Sequence, residues 1–196
     1  MRIADNWWRP LVLGLTAVAF LAPRAGAESL SVADRIVQCN GCHGQVGNST
    51  IPKTPSLAGQ PAFFILNQLF LMREGVRKVE SMTAVVKDLK DSDLNALAAH
   101  FSKLPAGASD EPIDPELVKR GAAIAAQKRC ISCHKPDLSG DQQIPRIAKQ
   151  RVDYLIQALH EFRAASRSGA DTIMSGSVAA LSDADLVALA HYAASR

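Results

Sequence analysis

The chain has 196 residues, with 22 basic and 19 acidic side chains and a formal charge of only +3. That excess is too small for a partner held through phosphate charge, so nucleic acid is excluded. Both tryptophans, Trp7 and Trp8, sit near the N-terminus, and alanine is plentiful in the helical stretches. Domains under about 80 residues with so little bulk need a staple or a cofactor to fold stably.

In chain order, the first predicted element is an export signal over residues 1–27. Arg2 and Arg9 supply a positive start, Leu11 to Ala22 an apolar run, and Ala25-Gly26-Ala27 a small-x-small site that places cleavage before Glu28. A membrane span needs about 20 apolar residues, and Pro10 and Arg24 bracket a shorter run here. No later segment is apolar enough to cross a bilayer, so the exported chain is expected to be soluble. Losing residues 1–27 removes Arg2, Arg9, Arg24 and Asp5 and leaves a charge of +1.

The next landmark is Cys39-Asn40-Gly41-Cys42-His43, then Pro55-Ser56-Leu57-Ala58-Gly59-Gln60, a helix predicted from Pro61 to about Met72, and Leu89-Lys90-Asp91-Ser92-Asp93-Leu94. Periodicity is then broken from Leu104 to Pro112, where Pro, Gly and small polar residues mark a boundary. Beyond it Asp114 caps and Pro115 opens a helix bearing Leu117, Val118, Gly121, Ile124 and Ala125 on one stripe, expected to deliver Cys130. A further helix carries Val152, Leu155, Ile156, Leu159 and Phe162. Ser182 with Asp185 resembles a capping box, opening a last helix through Leu186, Leu189 and Ala190. No segment alternates long enough to read as a strand, so the expected class is all-α.

These landmarks repeat. Cys39 to His43 returns as Cys130-Ile131-Ser132-Cys133-His134 at an offset of 91, and Pro55 to Gln60 returns as Pro145-Arg146-Ile147-Ala148-Lys149-Gln150 at 90. Met82 returns as Met174 at 92, and Leu89 to Leu94 aligns on Leu181-Ser182-Asp183-Ala184-Asp185-Leu186. Two similar tandem domains follow, residues 28–104 and 114–196, joined by a linker over 105–113.

Each Cys-x-x-Cys-His is the attachment signature of a c-type haem. Two thiols add across the vinyl groups, and the adjacent histidine ligates the iron. A four-cysteine zinc site gives no reason for a histidine after each pair, and a thioredoxin-like motif needs a βαβ setting that a strandless chain cannot offer. Cys39, Cys42, Cys130 and Cys133 are therefore read as covalent anchors of two haems, with His43 and His134 as iron ligands.

With these motifs in place, the chain resembles the di-haem cytochrome c4 family, two fused domains of the mono-haem cytochrome c fold, each wrapped around one haem. The resemblance rests on both haem motifs, Leu57-Ala58-Gly59-Gln60, Gln68-Leu69, Tyr154-Leu155, Phe162-Arg163, and the two methionines with the Asp-containing helix starts that follow them. It implies His/Met ligation, carried onto this chain as Met82 and Met174, a pairing that raises haem potential. It also implies that Pro55 and Pro145 offer backbone carbonyls to the second nitrogen of each axial histidine; the alternative is that each proline only shapes a loop.

Other residues compete for these roles. Met72 continues the stripe Ile65, Leu69 and is read as core. His100, His160 and His191 do not recur in the repeat and are read as surface or partly buried. Lys128, Arg129, Lys135, Arg146, Lys149 and Arg151 form a basic cluster in sequence that is either a docking face or solvated surface. Lys149 stands where the first half has Gly59, and Gly75 has no evident partner near Ala165, so the second half's loops are expected to differ.

The family likeness implies a periplasmic electron carrier, not itself catalytic and at most peripherally membrane-associated. It would be a monomer taking electrons from a respiratory complex or dehydrogenase and passing them to a terminal oxidase. The alternative is a dedicated haem subunit of a dehydrogenase such as a flavocytochrome. A di-haem peroxidase needs an open iron position, which two well-placed methionines argue against. The intact mass of the exported protein should equal the chain from Glu28 plus two haems and should survive acid denaturation. Recovery of one haem would remove a repeat from the reading, and zinc in place of haem would overturn it.

Overall fold

The computed structural model describes residues 30–167, 169 and 172–196; the predicted signal segment 1–27 lies outside the described residues. Among those residues the structure is all-α, with nine helices and no strand beyond one isolated bridge between Asp141 and Ile144. The first half holds α1 (Val32–His43), α2 (Ala62–Arg73), α3 (Glu80–Val86) and α4 (Asp91–Ser102). The second holds α5 (Pro115–Gln127), α6 (Ile131–His134), α7 (Val152–Arg163), α8 (Thr172–Val178) and α9 (Asp183–Ala194). The repeat is visible in the boundaries: α7 reproduces α2 at an offset of 90, and α8 and α9 reproduce α3 and α4 at 92.

Local chemistry accounts for four of the nine starts. Ser31 and Asp34 exchange bonds across the first turn of α1, and Ser182 and Asp185 do the same on α9. Asp114 Oδ1 accepts from the amides of Glu116 at 2.8 Å and Leu117 at 3.3 Å, with Pro115 in the first helical position of α5. On α4 the acidic half of that arrangement acts alone, the Lys90 amide donating to Asp93 Oδ2 at 2.9 Å.

Two expectations change. The helix from Pro115 does not deliver Cys130: it ends at Gln127, Arg129 takes a left-handed φ of 57°, and a separate turn, α6, carries the second haem motif. In the first half one unbroken helix, α1, runs to His43. The loops expected to differ instead coincide, because Lys149 (φ 55°) adopts the conformation of Gly59 (φ 66°) and Ala165 (φ 51°) that of Gly75 (φ 69°). A tertiary bond holds each residue of the first of these pairs. The Gly59 amide donates to the Phe101 carbonyl at 3.0 Å, and the Lys149 amide to the Ala193 carbonyl at 3.3 Å.

The two cores reach closure differently. The first gathers Ile65, Met72, Val86, Leu89, Leu94, Leu97 and Phe101 between α2, α3 and α4. The second is rich in small side chains, Ala148, Ala190, Ala193 and Ala194 around Leu138, Val152 and Leu155. It gains compactness from close approach of α5 to α9. A Cβ on Gly121 would stand 2.1 Å from the Ala188 carbonyl oxygen and 2.7 Å from Tyr192 Cβ. The offset of 91 carries Gly121 onto Leu30, outside α1, so among the described residues no glycine of α1 repeats that contact.

Between the halves, the segment joining α4 to α5 is pinned. The Glu111 carboxylate accepts from the amides of Val152 at 2.6 Å and Asp153 at 3.0 Å, capping α7 from a distance in sequence. Arg151, almost fully buried, binds Asp110 at 2.7 Å, Asp153 at 3.1 Å and the Ser49 carbonyl of the other half at 3.2 Å. No single helix among the described residues is long and apolar enough to cross a membrane.

Gly121→Ala should lower the stability of the second half by about 1–3 kcal/mol or more, since the obstacle is backbone and cannot rotate away. Thermal unfolding of the holoprotein should show the loss, and an unchanged transition would mean that α5 and α9 separate at little cost.

Candidate functional site

His43 ends α1 and His134 ends α6, and both rings are buried. His43 Nδ1 lies 2.7 Å from the Pro55 carbonyl oxygen and His134 Nδ1 lies 2.9 Å from that of Pro145. A carbonyl oxygen only accepts, so each Nδ1 carries the proton and each Nε2 keeps its lone pair. Burial pushes both histidines below their ordinary range, and the bonds to Pro55 and Pro145 partly offset that shift. Both rings are therefore neutral at neutral pH, the state in which imidazole ligates a metal.

The proline loops are held from behind. The Gly47 carbonyl accepts from the amides of Leu57 at 2.7 Å and Ala58 at 2.9 Å, and the Leu138 carbonyl from those of Ile147 at 2.9 Å and Ala148 at 3.1 Å. The histidine-to-proline bond expected from the family likeness is thus present in both halves, each with the same backing.

One continuous cavity of about 840 Å3 opens between the halves, and Cys39, Cys42, His43, Met82, Cys130, Cys133, His134 and Met174 all line it. Apolar side chains such as Leu69, Leu97, Phe101, Leu155 and Leu189 form much of its wall. Burial raises the Cys39 and Cys130 thiols above their ordinary range, opposite to an activated redox cysteine. Among the described residues no three His, Cys, Asp or Glu side chains gather as a metal-binding group, so the cysteine pairs do not form one zinc site.

Met82 and Met174 stand at the third positions of α3 and α8, each half-buried. The sequence predicts no helix over these segments, because seven residues span too little of an apolar period to register. Sequence reasoning also missed what clamps them. Arg73 donates to the Leu89 carbonyl at 3.0 Å and Asp91 at 2.7 Å, joining the end of α2 to the start of α4 around the Met82 segment. Arg163 does the same through the Leu181 carbonyl at 2.8 Å and Asp183, around the Met174 segment. Recurrence of the arginine at an offset of 90 was the available signal.

Met72 also borders the cavity, but it is 6% exposed and packs within the first core. His100 meets Phe101 edge-on, His160 pairs with Arg163 and Asp183, and His191 Nδ1 accepts the Asp114 amide at 3.2 Å; none of the three lines the cavity.

The six-residue basic cluster is not one surface. Arg146 and Arg151 are buried between the halves, whereas Lys128, Arg129, Lys135 and Lys149 are exposed. Arg146 reaches across to the Ala58 carbonyl at 2.8 Å and also donates to the Ala148 carbonyl, while its Nε is unpaired among the described residues. Burial pushes its guanidinium down to about 10. Arg77 and Arg167, repeat partners at an offset of 90, both face the Tyr154 hydroxyl. Burial pushes that phenol up, but the Arg167 and Arg77 charges outweigh burial and hold it below the usual range.

All three arginines line the cavity. Arg167 is paired with Glu161 at 2.7 Å, whereas the buried Arg146 meets only carbonyl oxygens. A buried cation without an acidic partner calls for an anion, and the walls call for a large apolar body. A haem, a flat apolar ring bearing two carboxylates, meets both requirements, so the residues present fit two such groups.

A family model described as Cytochrome c matches residues 118–195. Cytochrome c4 of Pseudomonas aeruginosa is 35% identical over 191 residues, covering 93% of each chain. The crystal structure of reduced recombinant cytochrome c4 from Pseudomonas stutzeri superposes with a TM-score of 0.75 at 31% identity, covering 83% of this chain and 97% of that one. A thiosulfate dehydrogenase electron acceptor of Thiomonas intermedia is 29% identical over 201 residues, covering 94% of this chain and 89% of the relative.

Proposed function

The chain belongs to the cytochrome c4 family, and we propose that each half holds one haem c through its own set of ligands. Cys39 and Cys42 anchor the first haem, with His43 and Met82 on its iron. Cys130 and Cys133 anchor the second, with His134 and Met174. The single observation carrying this assignment is that the eight side chains line one cavity while both histidines are locked, Nδ1 to proline carbonyl, in the same tautomer.

The chain is an electron carrier with two c-type haems, and each bound haem supplies a one-electron couple at its iron. The residues around it hold that couple steady. His43 and His134 cannot rotate, because Pro55 and Pro145 hold their second nitrogens. Arg73 and Arg163 fix both ends of the methionine segments. The apolar walls exclude water, and ligation by a thioether favours the reduced iron.

Export to the periplasm by the segment 1–27 completes the proposal. The donor is a respiratory complex or dehydrogenase and the acceptor a terminal oxidase. A second reading, dedicated acceptor to one dehydrogenase, draws support from the likeness to the Thiomonas intermedia protein. Isolation of the native protein separates the two: the carrier emerges alone as a monomer, the dedicated subunit with a catalytic chain.

Replacing Met82 or Met174 with alanine should remove half of the ferric sulfur-to-iron band each. It should also lower the potential of that half's haem and leave the other haem unchanged. Met72→Ala should keep the full band and cost about 2–5 kcal/mol of stability through a core cavity. Loss of half the band in Met72→Ala, with Met82→Ala intact, would reassign the first ligand.

A further inference from the structure

Two glutamines occupy equivalent positions in the repeat, Gln60 and Gln150, each 3% exposed or less. Both reach into the opposite half, and Gln150 Oε1 in addition accepts the Arg151 amide of its own half at 3.0 Å. Gln150 Oε1 accepts the Ser56 amide at 2.7 Å, and its Nε2 donates to the Ser56 carbonyl at 2.9 Å. Gln60 Oε1 accepts the Arg146 amide at 3.0 Å, and its Nε2 donates to the Arg146 carbonyl at 2.8 Å. The backbone partners leave one amide orientation for each side chain, since an N–H only donates and a carbonyl only accepts.

Ser56 and Arg146 are the residues that follow Pro55 and Pro145. The amide that each glutamine accepts therefore belongs to the same peptide unit whose carbonyl holds the axial histidine. The first chain reads His43 Nδ1–H to the Pro55 carbonyl at 2.7 Å, then Ser56 N–H to Gln150 Oε1 at 2.7 Å. The second reads His134 Nδ1–H to the Pro145 carbonyl at 2.9 Å, then Arg146 N–H to Gln60 Oε1 at 3.0 Å. Each chain crosses from one half to the other.

We propose that Gln150 and Gln60 are positioning residues that set the axial histidine, and through it the haem potential, of the opposite half. This rests on His43 and His134 being the iron ligands. Accepting the N–H of a peptide polarises it and enriches its carbonyl oxygen, and hydrogen bonds in series strengthen one another. A richer Pro55 oxygen draws harder on the His43 Nδ1–H, which makes Nε2 a stronger donor. A stronger donor favours the more highly charged ferric iron, so each glutamine lowers the potential of the haem across the interface.

The test uses the ferric holoprotein with 15N-labelled histidine, reading both haem potentials and the hyperfine-shifted ring signals of His43 and His134. Gln150→Leu should raise the potential of the first-half haem and shift the His43 Nδ1–H resonance, leaving the second half in place. Gln60→Leu should give the mirror result on His134. Gln150→Glu keeps an acceptor for the Ser56 amide and should hold the first haem at or below its wild-type potential. Loosening of the interface alone would move leucine and glutamate variants the same way. The proposal is overturned if Gln150→Leu leaves the first haem unmoved, if it acts on the second haem instead, or if the glutamate variant rises equally. Should a leucine variant fail to fold, the wild-type protein decides: a scalar coupling between the Ser56 amide nitrogen and the Gln150 side-chain carbonyl carbon supports the chain, and its absence overturns it. Absence of hyperfine-shifted His43 and His134 signals in wild-type protein would instead overturn the ligand assignment.

Discussion

The bond from each buried histidine to a proline carbonyl constrains everything else in its half. A neutral imidazole at the end of a helix has two nitrogens to satisfy. Committing Nδ1 to Pro55 or Pro145 leaves Nε2 aimed away from the protein backbone. That commitment requires the proline loop to return to the helix end, which the paired bonds onto the Gly47 and Leu138 carbonyls achieve. The wall opposite must then remain open, because filling it with side chains would bury an unpaired Nε2 at a cost of about 1–3 kcal/mol. The cavity is thus a consequence of how the histidines are held.

What the sequence reveals follows from how local the cause is. The all-α class, α2, α7 and α9, and the caps at Asp114 and Ser182 depend on neighbours within a turn or two, and were legible. Of the site, the cysteine and histidine motifs, the prolines and the recurring methionines stood out in the duplication. The misses share a different origin. Lys149 and Ala165 hold a left-handed backbone at about 1–2 kcal/mol each with no glycine to mark it, and Lys149 is held by the Ala193 carbonyl far away in sequence. Arg129 breaks the helix before the second haem motif without a glycine to announce it. Arg146 and Arg151 look like surface charge in sequence, and only the docking of two halves buries them.

That docking is polar where most cores are apolar. Gln60, Gln150, Arg146, Arg151 and Ser56 meet across it, and nearly every bond runs from a side chain to backbone. Such an interface gains little net stability per bond, about 0.5–1.5 kcal/mol. Its partners do, however, admit only one register. An apolar interface of equal size slides more easily, because dispersion has no direction. These bonds fix the register of the halves more than they add to the affinity between them. The pinned segment around Asp110 and Glu111 acts in the same sense, tying the connection itself to α7.

Duplication left the two halves alike in geometry and unlike in how they hold it. The first closes its core with Phe101, Leu94, Leu97 and Val86, all nearly inaccessible. The second has alanines at Ala188, Ala190, Ala193 and Ala194 and relies on Gly121 to bring α5 onto α9. Large side chains tolerate small shifts by rotamer adjustment, whereas a glycine contact against a carbonyl is rigid but buries little area. Equivalent residues, Ser56 and Arg146, show the same divergence under a common backbone role. Both give their peptide to the other half's glutamine, while one adds only a hydroxyl and the other a buried charge beside the cavity. Two sites sharing one fold and one hydrogen-bond plan thus stand in different electrostatic surroundings, and net charge near a haem is one of the levers on its potential.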